Sequence, residues 1–143
     1  LPLYADGSRW RAGGKLEYSY RDMLRFLVDA SYGKWNLDGG LVASMQPDLI
    51  LKAEVGVHPI APLDVRLRYT QLNGRYRYSF GSAGSEALGI GNVHLLCADV
   101  SYKLKKNLSL YLKIANMLAE TTELIGYYPM QPFHCFAGFS WTF

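Results

Sequence analysis

The sequence predicts an all-β chain, an antiparallel up-and-down meander of about seven strands that forms the C-terminal part of a transmembrane β-barrel. Three observations carry that reading. Apolar residues recur with period two nearly throughout, and helical spacing is hard to find. The connections between the alternating runs are short and long by turns, as they are in barrels with short turns on one rim and long loops on the other. Aromatics make up 14% of the 143 residues, with 11 Tyr, and Gly reaches 14, a mixture that suits strands and tight turns.

The first run, residues 9–20, sets Trp10, Ala12, Gly14, Leu16, Tyr18 and Tyr20 against Arg11, Gly13, Lys15, Glu17 and Ser19. After a short break, residues 24–33 set Leu24, Phe26, Val28, Ala30 and Tyr32 against Arg25, Leu27, Asp29 and Ser31. A long connection over 34–46 follows. The third run alternates Leu49, Leu51, Ala53, Val55 and Val57 with Ile50, Lys52, Glu54 and Gly56, and Pro59 to Pro62 turn the chain. The fourth alternates Leu63, Val65, Leu67 and Tyr69 with Asp64, Arg66 and Arg68. Its aromatic parity flips between Tyr69 and Tyr76-Tyr78, which predicts a continuing strand with a bulge near Asn73-Gly74. A second long polar loop spans 79–92. The fifth run sets Leu96, Ala98, Val100, Tyr102 and Leu104 against Cys97, Asp99, Ser101 and Lys103. A turn at 105–107 leads to the sixth, Leu108, Leu110, Leu112 and Ile114 against Ser109, Tyr111, Lys113 and Ala115. The third long loop is 117–131, and the chain closes on FHCFAGFSWTF.

Each run therefore has one apolar face, while the other holds charges that include Lys52, Glu54, Arg66, Arg68, Asp99 and Lys113. In a barrel across a membrane these six line the lumen and pair across strands, and the apolar face meets lipid. A catalytic use of the same charges is the competing reading. Tyr18, Tyr20, Tyr69, Tyr102 and Trp141 beside short turns or the chain end, with Tyr32 and Trp35 near a long loop, fit interfacial girdles.

Other classes find little support. The net charge is only +3 and no basic run exceeds Lys105-Lys106, which argues against a nucleic-acid partner. No apolar stretch is long enough for a transmembrane helix, and Leu1-Pro2-Leu3-Tyr4 has no signal-peptide pattern. Cys97 and Cys135 read as free thiols packed as small hydrophobes. No GxGxxG, P-loop, HExxH or GxSxG occurs, and Gly81 to Ser85 reads as a flexible loop. His58 belongs near the short-turn rim and His94 and His134 near the other, so a three-His metal site is not expected. His94 and His134 could still approach across the sixth strand. No cofactor and no enzymatic activity are expected.

The last run leads from a long loop to the chain end, and the first runs in the same direction. Bacterial single-chain barrels have an even number of strands with both ends in the periplasm. The expectation is a single barrel segment over 1–143, a C-terminal fragment of a larger barrel, with strands missing before Leu1.

The last third of the chain resembles the C-terminal strands of TonB-dependent receptors, especially of the Bacteroidetes type. The residues that carry this are Asn92, Asn116 with Met117-Leu118, Tyr128-Pro129 and Phe143, and in the preceding hairpin Gly74-Arg75-Tyr76. Thr121-Thr122, Pro132 and His134-Cys135 depart from the pattern. The resemblance implies a bacterial outer-membrane receptor or transporter whose long loops help recognise an extracellular ligand. It implies as partners outer-membrane lipid, the remaining N-terminal barrel strands and plug of a parent chain, TonB through that chain, and the barrel assembly machinery. It further implies that the aromatic row Phe139, Trp141 and Phe143 is the signal that this machinery reads. Two alternatives stand beside it: a soluble antiparallel β-barrel or sandwich that binds a small ligand or partner with its apolar face inward, and an outer-membrane barrel enzyme.

Overall fold

A computed structural model describes residues 6–81, 84–125 and 128–142. Seven strands form one antiparallel sheet in chain order: β1 (Gly7–Tyr20), β2 (Leu24–Leu37), β3 (Leu49–Ile60), β4 (Leu63–Asn73), β7 (Val93–Lys105), β8 (Leu108–Ala115) and β11 (His134–Trp141). Two small hairpins stand apart from it, β5 (Arg75–Gly81) with β6 (Gly84–Ile90), and β9 (Glu123–Ile125) with β10 (Tyr128–Pro129). The meander expected from period two is the observed topology.

The short connections, at 21–23, 61–62 and 106–107, gather on one rim. The His58 amide donates to the Met23 carbonyl at 2.8 Å and the Lys103 amide to Pro62 at 2.8 Å, so neighbouring turns are tied together. The Thr142 amide donates to Asn107 at 2.9 Å, which brings the end of β11 to the same rim. The long connections occupy the opposite rim.

Register sorts the side chains along the ladder, apart from shifts after Val57 and Lys103 near the short-turn rim. Tyr18, Phe26, Val55, Leu67, Ala98, Ile114 and Cys135 lie opposite one another in a single lateral row. The next row holds Ser19, Arg25, Gly56, Arg66, Asp99, Lys113 and Phe136. Because successive strand residues point to opposite faces, the first row lies on an apolar face and the second on a polar one.

Five expectations need correction. β2 runs to Leu37 rather than ending near Gly33, and this places Trp35 on the polar face, where the Arg9 guanidinium sits 4.8 Å above its ring. Trp35 is therefore no girdle residue. Tyr69 lies in the long-loop half of β4, beside His94, and not at the short-turn rim. The expected bulge near Asn73-Gly74 is a strand break: Gly74 has φ +68 and its pro-chiral position faces the Asp48 side chain at 2.7 Å, so a β-carbon would not fit. Beyond it the expected loop 79–92 is mostly the β5–β6 hairpin, whose tip at residues 82 and 83 lies outside the described residues. Both cysteines are free, but they do not pack alike. Cys97 is half-buried on the polar face and Cys135 is exposed on the apolar one.

Nothing among the described residues covers the apolar face. Among the described residues only Val93, Ala98 and Met130 are buried apolar side chains, and of these Ala98 alone is in a row of that face. The chain exposes 10199 Å², whereas a compact globular protein of 16.1 kDa exposes about 7,400 Å². That excess argues against an inward-facing apolar core, the arrangement a soluble barrel or sandwich requires.

Among the described glycines the space for a β-carbon is tightest at Gly33, where it would meet the Trp10 carbonyl and lie 2.8 Å from the Arg11 α-carbon. Gly14, on the apolar face, has nothing within 4 Å. Gly33→Ala should therefore destabilise the fold by about 1–3 kcal/mol by forcing β1 and β2 apart. Gly14→Ala should stay within about 0.5 kcal/mol of the parent. Urea midpoints of the chain folded in lipid or detergent check this, and equal midpoints for the two variants would contradict the described register.

Candidate functional site

The polar face carries a charge network built by register. The Arg68 Nη2 atom donates to Asp99 Oδ2 at 2.6 Å across β4 and β7. Arg66 Nε stands 3.7 Å from Glu54 Oε1. Towards β1, Glu17 accepts from Arg25 Nε at 3.0 Å and lies 3.5 Å from Lys15. Lys52 is directly opposite Asp29 on one side and Thr70 on the other. Lys113 is opposite Asp99 and Phe136, and it makes no ion pair among the described residues. All six residues expected to share a face, Lys52, Glu54, Arg66, Arg68, Asp99 and Lys113, do share it. Each pair is half-exposed, so each contributes little stability by itself.

Around Asp99 this face has a cleft of about 390 Å³, lined by Asp64, Arg66, Arg68, Asp99, Ser101, Tyr111 and Lys113 among others. Sequence reasoning missed how Tyr111 is held. Its ring lies against Gly138 on β11, in the space a β-carbon would fill. Gly138 stands opposite Tyr111 only once the register is known, and an aromatic laid over a cross-strand glycine is a recognised way of filling a bare strand position.

On the opposite face, Phe139 and Trp141 are exposed beside Leu110 and Leu108, and Phe143 lies outside the described residues. His94 is also on this face, where its Nδ1 lies 2.7 Å from the Tyr69 hydroxyl. His134 faces the other way, with its ring edge-on to Phe136 at 5.4 Å. The two histidines therefore do not meet, although both are near the long-loop rim as expected. His58 is at the short-turn rim, 3.9 Å from Asp64. Among the described residues no three His, Cys, Asp or Glu side chains converge on a point.

The long-loop rim holds a second arrangement, a tied cap. Arg75 is 2% exposed, and its Nη2 donates to the Gly91 carbonyl at 3.0 Å and the Glu123 carbonyl at 2.7 Å. Burial pulls its guanidinium below its usual pKa, and the charge of Glu123 opposes that pull. Arg77 pairs with the Glu123 carboxylate at 3.3 Å. The loop 38–48 joins through the Met45 amide, which donates to Tyr76 at 2.7 Å, and through Tyr78, whose hydroxyl donates to the Val42 carbonyl at 2.9 Å. Asn116, 1% exposed with φ +50, donates its amide nitrogen to the carbonyls of Glu120 and Gln131, both at 2.8 Å. Asn is one of the few residues that accept this left-handed backbone. The Glu120 carboxylate accepts the His94 amide at 3.0 Å. The residues Gly74-Arg75 and Asn116, which carried the family resemblance, thus anchor loops to the sheet.

Comparison with known proteins adds the fold to this geometry. The solved ferripyoverdine receptor of the outer membrane of Pseudomonas aeruginosa, bound to ferripyoverdine, superposes on 93% of this chain with a TM-score of 0.75. The likeness is one of fold. Identity is 14%, and the matched part is 19% of the receptor's own length. The chain therefore has the strand arrangement of a segment of an outer-membrane receptor barrel. No protein-family profile and no curated protein matches its sequence.

Arg75→Ala should leave two inward carbonyls without their donor and cost the cap about 1–3 kcal/mol. Amide exchange over 75–90 and limited proteolysis should both speed up, while the β-sheet signal in circular dichroism stays at the parent level. Unchanged exchange in the hairpin would show that Arg75 does not hold it.

Proposed function

We propose that this chain is a wall segment of an outer-membrane receptor or transporter, with its polar face on the lumen and its apolar face on lipid. The observation that carries this is the uncovered apolar face, free of charge between its aromatic borders, backed by a face that holds the charges. On β1 that border runs from Trp10 to Tyr20. At about 3.3 Å per residue the two are about 33 Å apart along the strand. A tilt of about 40° reduces this to about 25 Å, the height of the lipid-facing band of such barrels. Backbone chemistry points the same way, because strands enter hydrocarbon only where their polar groups are paired by neighbours.

On this reading Lys52, Glu54, Arg66, Arg68, Asp99 and Lys113 line the lumen. The loops 38–48, 74–92 and 116–133 face outward and contribute to recognition of an extracellular ligand. The finer reading is a C-terminal segment of a TonB-dependent uptake barrel of the Bacteroidetes type. Its parent chain would supply the other strands, a plug and the TonB contact, and its Phe139, Trp141 and Phe143 would be read by the barrel assembly machinery. It rests on the resemblance at Asn92, Asn116, Tyr128-Pro129 and Gly74-Arg75-Tyr76, and it assigns no catalytic role. That the solved receptor is bound to ferripyoverdine supports ligand binding as a general activity of this proposed class.

Expression in a Gram-negative host should deliver the protein to the outer-membrane fraction with heat-modifiable gel mobility. Leu67→Arg, near the middle of the apolar face, should then cost about 2–4 kcal/mol of folding free energy in lipid. Arg66→Leu on the polar face should cost about 1 kcal/mol or less. Equal costs for the two, or recovery from the soluble fraction, would count against the membrane reading.

A further inference from the structure

The register shift between Lys103 and Lys105 changes which face a charge occupies. By alternation Lys105 belongs with Lys103 on the polar face. Instead Lys103 is opposite Ser109 while Lys105 is opposite Leu108, so Leu104 is the extra residue of a bulge. Directly opposed residues share a face, and a bulge re-aims the side chains beyond it. Lys105 therefore joins the apolar-face row of Leu108 and Trp141. It stands at the edge of that face, next to Lys106 in the turn at 106–107.

Two further features mark this corner of the sheet. Beside the lysines the apolar face presents Tyr102, Leu110, Phe139 and Trp141, all exposed. No Asp or Glu occurs from 100 to 119 or from 132 to 143. Among the described residues the side chains of Lys105 and Lys106 make no hydrogen bond or ion pair. Asp64, opposite Ser101, is on the other face and lies 3.9 Å from His58. Lys52 and Lys113 also lack an ion pair, but they are on the polar face. What distinguishes Lys105 from them is its place on the apolar one.

We propose that Lys105 and Lys106 bind the phosphate of an anionic phospholipid whose acyl chains lie against Leu110, Phe139 and Trp141. Continuity selects a lipid over a soluble anion. The cations border the exposed apolar surface directly, so one amphiphile satisfies both. A lysine stem runs over apolar surface while its ammonium reaches the headgroups, and a tryptophan beside it sits at the same level. Anionic headgroups attract such a pair more strongly than zwitterionic ones. The inference rests on the reading of this face as the lipid-facing wall, and it adds which headgroup the short-turn border selects.

Trp10→Phe and Trp35→Phe leave Trp141 as the reporter. This protein is folded into vesicles of phosphatidylcholine and phosphatidylglycerol, with brominated acyl chains on one lipid or the other, and quenching of Trp141 is compared. The relative binding constant should favour phosphatidylglycerol by about threefold or more. The preference should fall as salt rises, a measurement that needs no lysine variant. Lys105→Gln with Lys106→Gln should bring the ratio close to unity, and Lys113→Gln should leave it at the parent value. Heat-modifiable mobility on the same samples shows that each variant is folded. Equal quenching by both lipids, or a preference that survives the paired lysine substitution, would overturn the inference. So would its loss to inorganic phosphate exchanged for chloride at equal ionic strength, since the site would then take the free anion. In each of those cases lipid still quenches Trp141 and the membrane reading stands. A Trp141 that neither brominated lipid quenches defeats that reading itself.

Discussion

The backbone ladder from β1 to β11 is the constraint on which the rest of the structure depends. In most domains of this size an apolar core holds the elements together and hydrogen bonds set their geometry. Here the order is reversed. Among the described residues only three apolar side chains are buried, and two of them, Val93 and Ala98, are on one strand. What holds a strand in place is its neighbour's amides and carbonyls. The side chains then project as two sheets of opposite chemistry, and each needs its own medium. An apolar surroundings for Leu67 and Val55 and a wet one for Arg66 and Glu54 follow from the same register.

That register explains why so much was legible in the sequence. When one face is apolar from end to end, a slip of one residue would turn every side chain over, so alternation alone fixes which residues share a face. The readings failed where alternation continued through a change of sheet. The run from Leu63 to Tyr78 looks like one bulged strand because alternation resumes beyond Gly74 with its parity flipped, as it would after a bulge. Trp35 was misplaced for a related reason. Ending β2 at Gly33 removes the tryptophan from a count that would have set it beside Asp29 and Leu27. Tyr69 was assigned to the wrong rim because its parity was considered and its distance from the turn at 61–62 was not. The pairing of Tyr111 with Gly138 needed the register across two strands, which a single sequence does not contain.

The loop side follows a different rule from the sheet. It has irregular backbone, and its stability comes from side chains that replace the missing ladder. Arg75 and Asn116 each satisfy two carbonyls, and Glu120 supplies an acceptor for an amide of β7 that has passed the end of β8. These are long-range polar contacts between residues that look unremarkable in the sequence. They also account for the family-like residues in physical terms. Gly74 permits a turn that Asp48 crowds, and Asn116 combines a left-handed backbone with an amide aimed at two loops.

The tie between β5 and β9 has a mechanical consequence. Within the sheet each strand grips only its neighbours, so a load applied at one edge would peel it hairpin by hairpin, each step small. Arg75 and Arg77 fasten the hairpin after β4 to the segment after β8, across the whole of β7. A pull on this part of the wall cannot release β4 from β7 and β7 from β8 in turn until that fastening yields. The cap therefore joins the central hairpins by a second route besides the ladder, through two arginines and one glutamate.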